Sequence, residues 1–124
     1  MNRRFTLLLV DDNLPQIAPL RDFLEAAGYR VRTADNGMKA IVAIYQRPPD
    51  LILSDIPISE LNGYHLCRIL KNDPLTQNIP IILFSSQAEP HNRFWGEKAG
   101  ADAFLEKTAE FPRILAAIES LIKD

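Results

Sequence analysis

The chain of 124 residues contains one cysteine, Cys67, so no disulfide can close within it, and such sparing use suits a reducing, cytoplasmic setting. Cys67 reads as a small buried core residue. Two histidines, His65 and His91, are too few to suggest a zinc site. Charge of one sign is also missing. Fourteen Lys and Arg against sixteen Asp and Glu leave a net charge of -2, which gives no general electrostatic drive toward nucleic acid. No apolar stretch approaches transmembrane length, and Met1-Asn2-Arg3-Arg4 leads into a short apolar run that ends at two aspartates, unlike a signal peptide. Repeats, linkers and low-complexity segments are lacking as well. What is present, 47% hydrophobic and 24% charged residues, fits one globular domain over 1–124 with a core from about residue 5 to residue 122.

Along the chain, short apolar runs alternate with helical periodicity. Phe5 to Val10 is the first strand. Asn13 caps a helix that begins near Pro15, carries Ile17, Leu20, Phe23, Leu24 and Ala27 inward and stops at Gly28. Pro19 lies deeper in that helix and is expected to bend its start. Tyr29 to Ala34 alternates like an edge strand, and Asn36-Gly37 turns the chain into a helix from Met38 to Tyr45. The third strand, Leu51 to Ser54, is continuously apolar, as a strand covered on both faces should be. A helix over Leu61 to Lys71 faces inward through Leu66, Ile69 and Leu70. The fourth strand starts at Ile79-Pro80 and runs through Ile81 to Phe84, a weaker helix lies around His91 to Ala99, the fifth strand is Ala103 to Glu106, and Phe111 to Ile122 closes the chain with Ile114, Leu115, Ile118 and Leu121 inward. Five such pairs imply right-handed crossovers and a parallel sheet, an α/β doubly wound fold.

Four of the strands run into polar residues suited to a phosphoryl group: Asp11-Asp12, Asp55, Ser85 and Lys107. A parallel sheet gathers these strand ends along one edge, at the crevice where ligands bind. Carboxylates about 5 Å apart there repel by roughly 3 kcal/mol per pair at an effective dielectric near 20, so the pocket needs a cation. Mg²⁺ fits, since it takes oxygen ligands and keeps several waters. Asp12 is assigned as a direct ligand, Asp11 as a direct or water-mediated one, and Asp55 as ligand and nucleophile. A carboxylate attacking phosphorus forms an acyl phosphate. Lys107 and the metal would neutralise charge on the equatorial oxygens, and Ser85 would donate a hydrogen bond to them.

Together with Gly63 eight positions after Asp55 and the run Gly100-Ala101-Asp102-Ala103-Phe104-Leu105, these residues resemble the receiver domain of bacterial two-component response regulators, over essentially the whole chain. The resemblance implies a flavodoxin-like (βα)5 sheet of order 2-1-3-4-5, and phosphorylation of Asp55 by a partner histidine kinase or phosphotransfer protein with Mg²⁺ bound. It adds the backbone carbonyl of Pro57 to the metal ligands. It also implies a switch in which Ser85 follows the phosphoryl group and Phe104 turns inward. The signal is then read by a downstream target, an output domain or a second copy on the face made by the fourth helix, fifth strand and fifth helix. Such a domain is not an enzyme beyond its own phosphorylation and dephosphorylation, and contacts neither nucleic acid nor membrane directly.

Three positions depart from the family pattern. Ile58-Ser59 stands where receivers usually have Met-Pro. Pro57 lacks the amide hydrogen that would bond a phosphoryl oxygen, so a weaker or shorter-lived phosphorylation is expected. Thr108 stands where a proline usually follows the lysine through a cis peptide; cis before a non-proline costs about 2.5 to 4 kcal/mol, and the Lys107-Thr108 bond is expected cis if Lys107 points into the acidic pocket. Of the adjacent pair Phe94 and Trp95, one is expected exposed, and Trp95 is a candidate anchor for a partner. Two other functions compete. A degenerate receiver would act as an adaptor without phosphorylation; a small Mg²⁺-dependent phosphohydrolase would need a substrate cap for which no insertion is long enough.

Overall fold

A computed structural model describes the backbone of residues 4–58, 61–85 and 98–122. Five strands, β1 (Thr6–Val10), β2 (Arg30–Ala34), β3 (Leu51–Asp55), β4 (Ile81–Ser85) and β5 (Ala103–Glu106), form one parallel sheet of order β2-β1-β3-β4-β5. Helices α1 (Leu14–Ala26), α2 (Gly37–Gln46) and α3 (Gly63–Lys71) follow the first three strands, and α4 (Phe111–Leu121), the fifth helix of the sequence reading, follows β5. The helix expected around His91 to Ala99 lies outside the described residues except for its last two, as do Phe94 and Trp95.

The period of two along each strand divides the core into two layers. Leu8, Val10, Ile52, Ile81 and Leu83 pack with Ala40 and Ile44 of α2 and Leu66, Cys67 and Leu70 of α3. Leu7, Leu9, Leu51, Leu53, Ile82 and Phe84 pack on the opposite side with Leu20 and Leu24 of α1 and Ile114 and Ile118 of α4. On that side the rings of Phe23 and Phe111 lie 5.3 Å apart, joining α1 to α4. Each fully buried Leu or Ile contributes roughly 1.5–3 kcal/mol relative to exposure, so the three central strands anchor the domain. Cys67 is a free, buried core thiol, and burial pushes it up to about 11.

Asparagine side chains set the helix starts. Asn13 Oδ1 accepts from Gln16 N at 3.2 Å, Asn36 Oδ1 from Lys39 N at 2.8 Å and Asn62 Oδ1 from His65 N at 3.0 Å. Asn62 therefore excludes Leu61 from α3, which begins two residues later than expected. The inward arc of α3 is also rotated. Gly63 sits so close to the backbone after β3 that a Cβ there would meet the Asp55 carbonyl oxygen at 2.7 Å. This contact phases the helix so that Gly63, Leu66, Cys67 and Leu70 are buried, and Ile69, expected inward, is exposed. Ala27, likewise expected inward, is the exposed C-cap of α1. Leu115 and Leu121 of α4 are only partly buried. Pro19 lies within α1 and is exposed, with the helix continuous through it.

Candidate functional site

The sheet order makes β1 and β3 neighbours although β2 lies between them in the chain, which is the reversal at which a doubly wound sheet opens its crevice. Val10 is in register with Ser54, so the residues that follow, Asp11 and Asp55, emerge side by side. Both acids are buried, at 4% and 6% exposure. The first residue beyond β5, Lys107, reaches across to them: its Nζ lies 2.8 Å from Asp11 Oδ2 and 2.8 Å from Asp55 Oδ2. Two carboxylate oxygens on one nitrogen can be no further apart than two hydrogen-bond lengths.

Backbone amides fix the remaining oxygens. Asn13 N donates to Asp11 Oδ1 at 2.8 Å, and Ile56 N donates to Asp55 Oδ1 at 3.0 Å. Asp55 thus presents both oxygens in set directions. These two N–H groups belong to residues whose side chains give no hint of the role, and sequence reading did not find them. The Ser54 hydroxyl donates to the Asp55 carbonyl oxygen at 2.8 Å, and Gly63 N donates to the Ile56 oxygen at 2.8 Å, so the chain after β3 is held against the start of α3.

Burial pushes the Asp55 carboxyl above the usual carboxylate range; the Lys107 hydrogen bond and charge pull it back, and the Asp11 charge adds to the rise. For Lys107 burial acts downward, but hydrogen bonds and charges from Asp11 and Asp55 outweigh it and hold the ammonium above the ordinary lysine range. Two buried acids therefore share one firmly protonated lysine, and the cluster keeps an excess of negative charge.

Of the other residues expected here, Asp12 is exposed beside the buried pair, and among the described residues no three acidic, imidazole or thiol side chains converge into a metal site. Asp11, Asp55 and Lys107 thus form a buried cluster of two carboxylates and one ammonium, and Asp12 follows Asp11 in the chain. The donors are still all oxygen, with one more acid than base, and that chemistry fits a hard divalent cation rather than a soft one. Pro57 is exposed at the centre of a tight turn in which Ile58 N donates to the Ile56 oxygen at 3.0 Å. Ser85 ends β4 in register with Glu106; its side chain lies outside the described residues. Phe104 is half-buried against the α2–α3 layer. The Lys107–Thr108 bond is trans although Lys107 points into the pocket, which corrects the expected coupling. A non-proline residue favours trans by several kcal/mol, and the turn after β5, closed by Ala109 N donating to the Glu106 oxygen, delivers the ammonium without the cis form.

A doubly wound sheet with paired aspartates and a lysine at its switch point defines a class, and comparison with known proteins agrees. The response regulator receiver domain matches residues 7–119, and the chain belongs to that family. It is 36% identical over 118 residues to the phosphate regulon transcriptional regulatory protein PhoB of Pseudomonas aeruginosa, covering 95% of this chain and 52% of that protein. It is 31% identical over 116 residues to protein PilH of the same organism, covering 94% of this chain and 96% of PilH. The chain thus spans about half the length of the first relative and nearly all of the second. A crystal structure of a putative response regulator from Chloroflexus aurantiacus superimposes with a TM-score of 0.92 at 32% identity, covering 96% of this chain and 98% of that one.

Proposed function

We propose that Asp55 is the phosphoacceptor of a two-component system. The observation that carries this reading is the shared ammonium, which holds Asp11 and Asp55 side by side at the switch point and leaves the cluster net negative. In the proposed step a carboxylate oxygen of Asp55 attacks phosphorus, the bond from phosphorus to the donor breaks, and the donor leaves with the electron pair. Lys107 is the counter-charge for the phosphoryl oxygens, and a Ser85 hydroxyl donor would complete their contacts. Water later cleaves the acyl phosphate and restores Asp55. Asp12, Asp11, Asp55 and the Pro57 carbonyl would hold Mg²⁺, which supplies Lewis-acid charge neutralisation when bound. The physiological donor is a histidine kinase or phosphotransfer protein. Readout by a target, an output domain or a second copy would use β5, α4 and the preceding helix, with Phe104 as the switch aromatic.

The adaptor reading has one observation in its favour: Pro57 offers no amide hydrogen, and the next one, on Ile58, is taken by Ile56. One experiment separates the two. With Mg²⁺ and acetyl phosphate, intact mass is expected to show a single added phosphoryl group on the parent and none on Asp55→Asn. A parent that takes up nothing and binds no Mg²⁺ supports the adaptor. Turnover of a generic phosphoester would instead indicate the hydrolase.

A further inference from the structure

Five large hydrophobic side chains are exposed among the described residues, and all five lie on one part of the surface: Met38, Val42 and Tyr45 on α2, Ile69 on α3, and Leu75 just after α3. Met38, Val42 and Tyr45 recur at i, i+4 and i+7, so they form one stripe along α2. Two contacts hold that stripe beside α3. At the start of α2, Gly37 packs so closely on Leu61 that a Cβ would meet it at 2.5 Å. At the end of α2, the Tyr45 hydroxyl donates to Asp73, whose other oxygen accepts from Leu75 N at 2.9 Å. Along α3 a groove of about 540 Å³ is lined by Leu61, His65, Arg68, Ile69 and Asn72. A clustered apolar surface of this kind, rimmed by polar groups, is the usual mark of a docking site.

The two helices themselves carry charge of one sign. Neither α2 nor α3 contains Asp or Glu; their ionised residues are Lys39, Arg68 and Lys71, in a chain whose net charge is -2. Lys71 is drawn inward to Asp102 and Lys39 is paired with Asp35, which leaves Arg68 exposed and without an ion pair among the described residues. A second copy of this chain docked face to face would set these cations against one another. We infer that the α2–α3 face docks a protein partner through an amphipathic helix whose apolar stripe meets Val42 and Ile69 and whose acidic flank meets Arg68. This surface is remote in chemistry from the Asp55 site and does not depend on phosphoryl transfer.

The test uses two designed peptides of about 18 residues, long enough for five helical turns. Both carry Leu at i, i+4 and i+7 positions, one with Glu on its flanks and the other with Lys. Titrated into the isotope-labelled chain, the Glu peptide is expected to move the amides of Met38, Val42, Ile69 and Leu75, and the Lys peptide is not. Val42→Asp should weaken the Glu peptide by about tenfold or more, and Arg68→Glu should exchange the preference so that the Lys peptide binds better. Both positions are exposed, and circular dichroism checks that the variants keep the fold. The inference is overturned if neither peptide moves these amides at about 1 mM, if both act equally, or if the shifts map elsewhere. Self-association at this face without peptide would also overturn it, in favour of a second copy.

Discussion

Each end of the sheet carries a lysine held by aspartate, and the two are built differently. At the amino end, Lys71 Nζ donates to Gln77 O at 3.2 Å, to Ile79 O at 2.9 Å and to Asp102 Oδ2 at 2.8 Å, so all three of its hydrogens are used. Asp102 Oδ2 also accepts from Ile81 N at 2.8 Å, and Gly100 packs against the lysine stem. One base meets one acid, and backbone carbonyls take the rest. At the carboxyl end Lys107 faces two acids, and its third hydrogen has no acceptor among the described residues. The first cluster is saturated and ties α3 to β4 and β5. The second is short of positive charge, which is the condition for taking up a cation or, at Asp55, a proton. A lysine–aspartate pair alone does not mark a site; the count of charges and unused donors does.

The largest expected difference between the ends is functional. Lys107→Met should lower the initial rate of phosphoryl uptake from acetyl phosphate by about 100-fold, the order lost when one preorganised donor to a developing oxyanion is removed. Lys71→Met should leave that rate within about twofold, because it touches only the far end of the sheet. Intact mass at early times measures both. Equal rates for the two variants would mean that the charge imbalance at the carboxyl end has no part in the chemistry.

Stability should separate them in a second way. Lys71→Met leaves the Gln77 and Ile79 carbonyls and one bond to Asp102 without a donor, a loss of about 2 kcal/mol in urea unfolding. Two of these three acceptors are carbonyls, which cannot change protonation state, so most of the loss should persist from neutral to mildly acidic pH. Lys107→Met should also destabilise at neutral pH, but much of that loss should be recovered on acidification, because Asp55 can take a proton. Parallel pH curves for the two variants would contradict this.

These contrasts show which parts of the molecule the residues announce. The three central strands are legible because a run such as Leu51 to Leu53 has no arrangement other than burial on both faces, and the acids at their ends follow from chain direction. The phase of α3 is not legible from apolar spacing. Leu66, Ile69 and Leu70 make as good a stripe as Leu66, Cys67 and Leu70, and the choice falls to Gly63 against the Asp55 backbone, a contact made across the fold. Asn62 before Gly63 was a usable cap signal that would have excluded Leu61. The Lys71–Asp102 latch joins residues 31 apart, and nothing local in either segment marks it. Asp12 shows the converse: two adjacent aspartates read alike, but the turn into α1 buries one and exposes the other.

A smaller effect concerns Asp55 itself. Its folded pKa is raised, so the stability it contributes is complete below the ordinary carboxylate value near 3.9 and is lost as pH rises through the folded value. At neutral pH the ionised group therefore weighs against the fold. Asp55→Asn keeps the shape, removes the charge and leaves Lys107 paired with Asp11, so it should raise stability by about 1 kcal/mol at pH 7. The gain should vanish as pH falls and the parent's Asp55 becomes protonated. Urea unfolding at a series of pH values measures it, and a less stable variant at pH 7 would show that the Lys107 bond outweighs burial.

The smallest effect, and the one with the opposite sign, belongs to Asp73. The Tyr45 hydroxyl and Leu75 N both donate to this carboxylate and hold it below the usual range. Its stabilising contribution is present above the ordinary carboxylate pKa and is lost as pH falls through the folded one. Tyr45→Phe should therefore be less stable than the parent at neutral pH, whereas Asp55→Asn is more stable, and both differences should close in acid. The Tyr45 ring is exposed and the pair sits at the surface, where solvent screens the interaction, so the shift in urea midpoint should be small. Its pH dependence is the diagnostic: a difference that stays constant from neutral pH into the acid range would assign the effect to lost ring packing at the α2–α3 junction and not to the charged hydrogen bond.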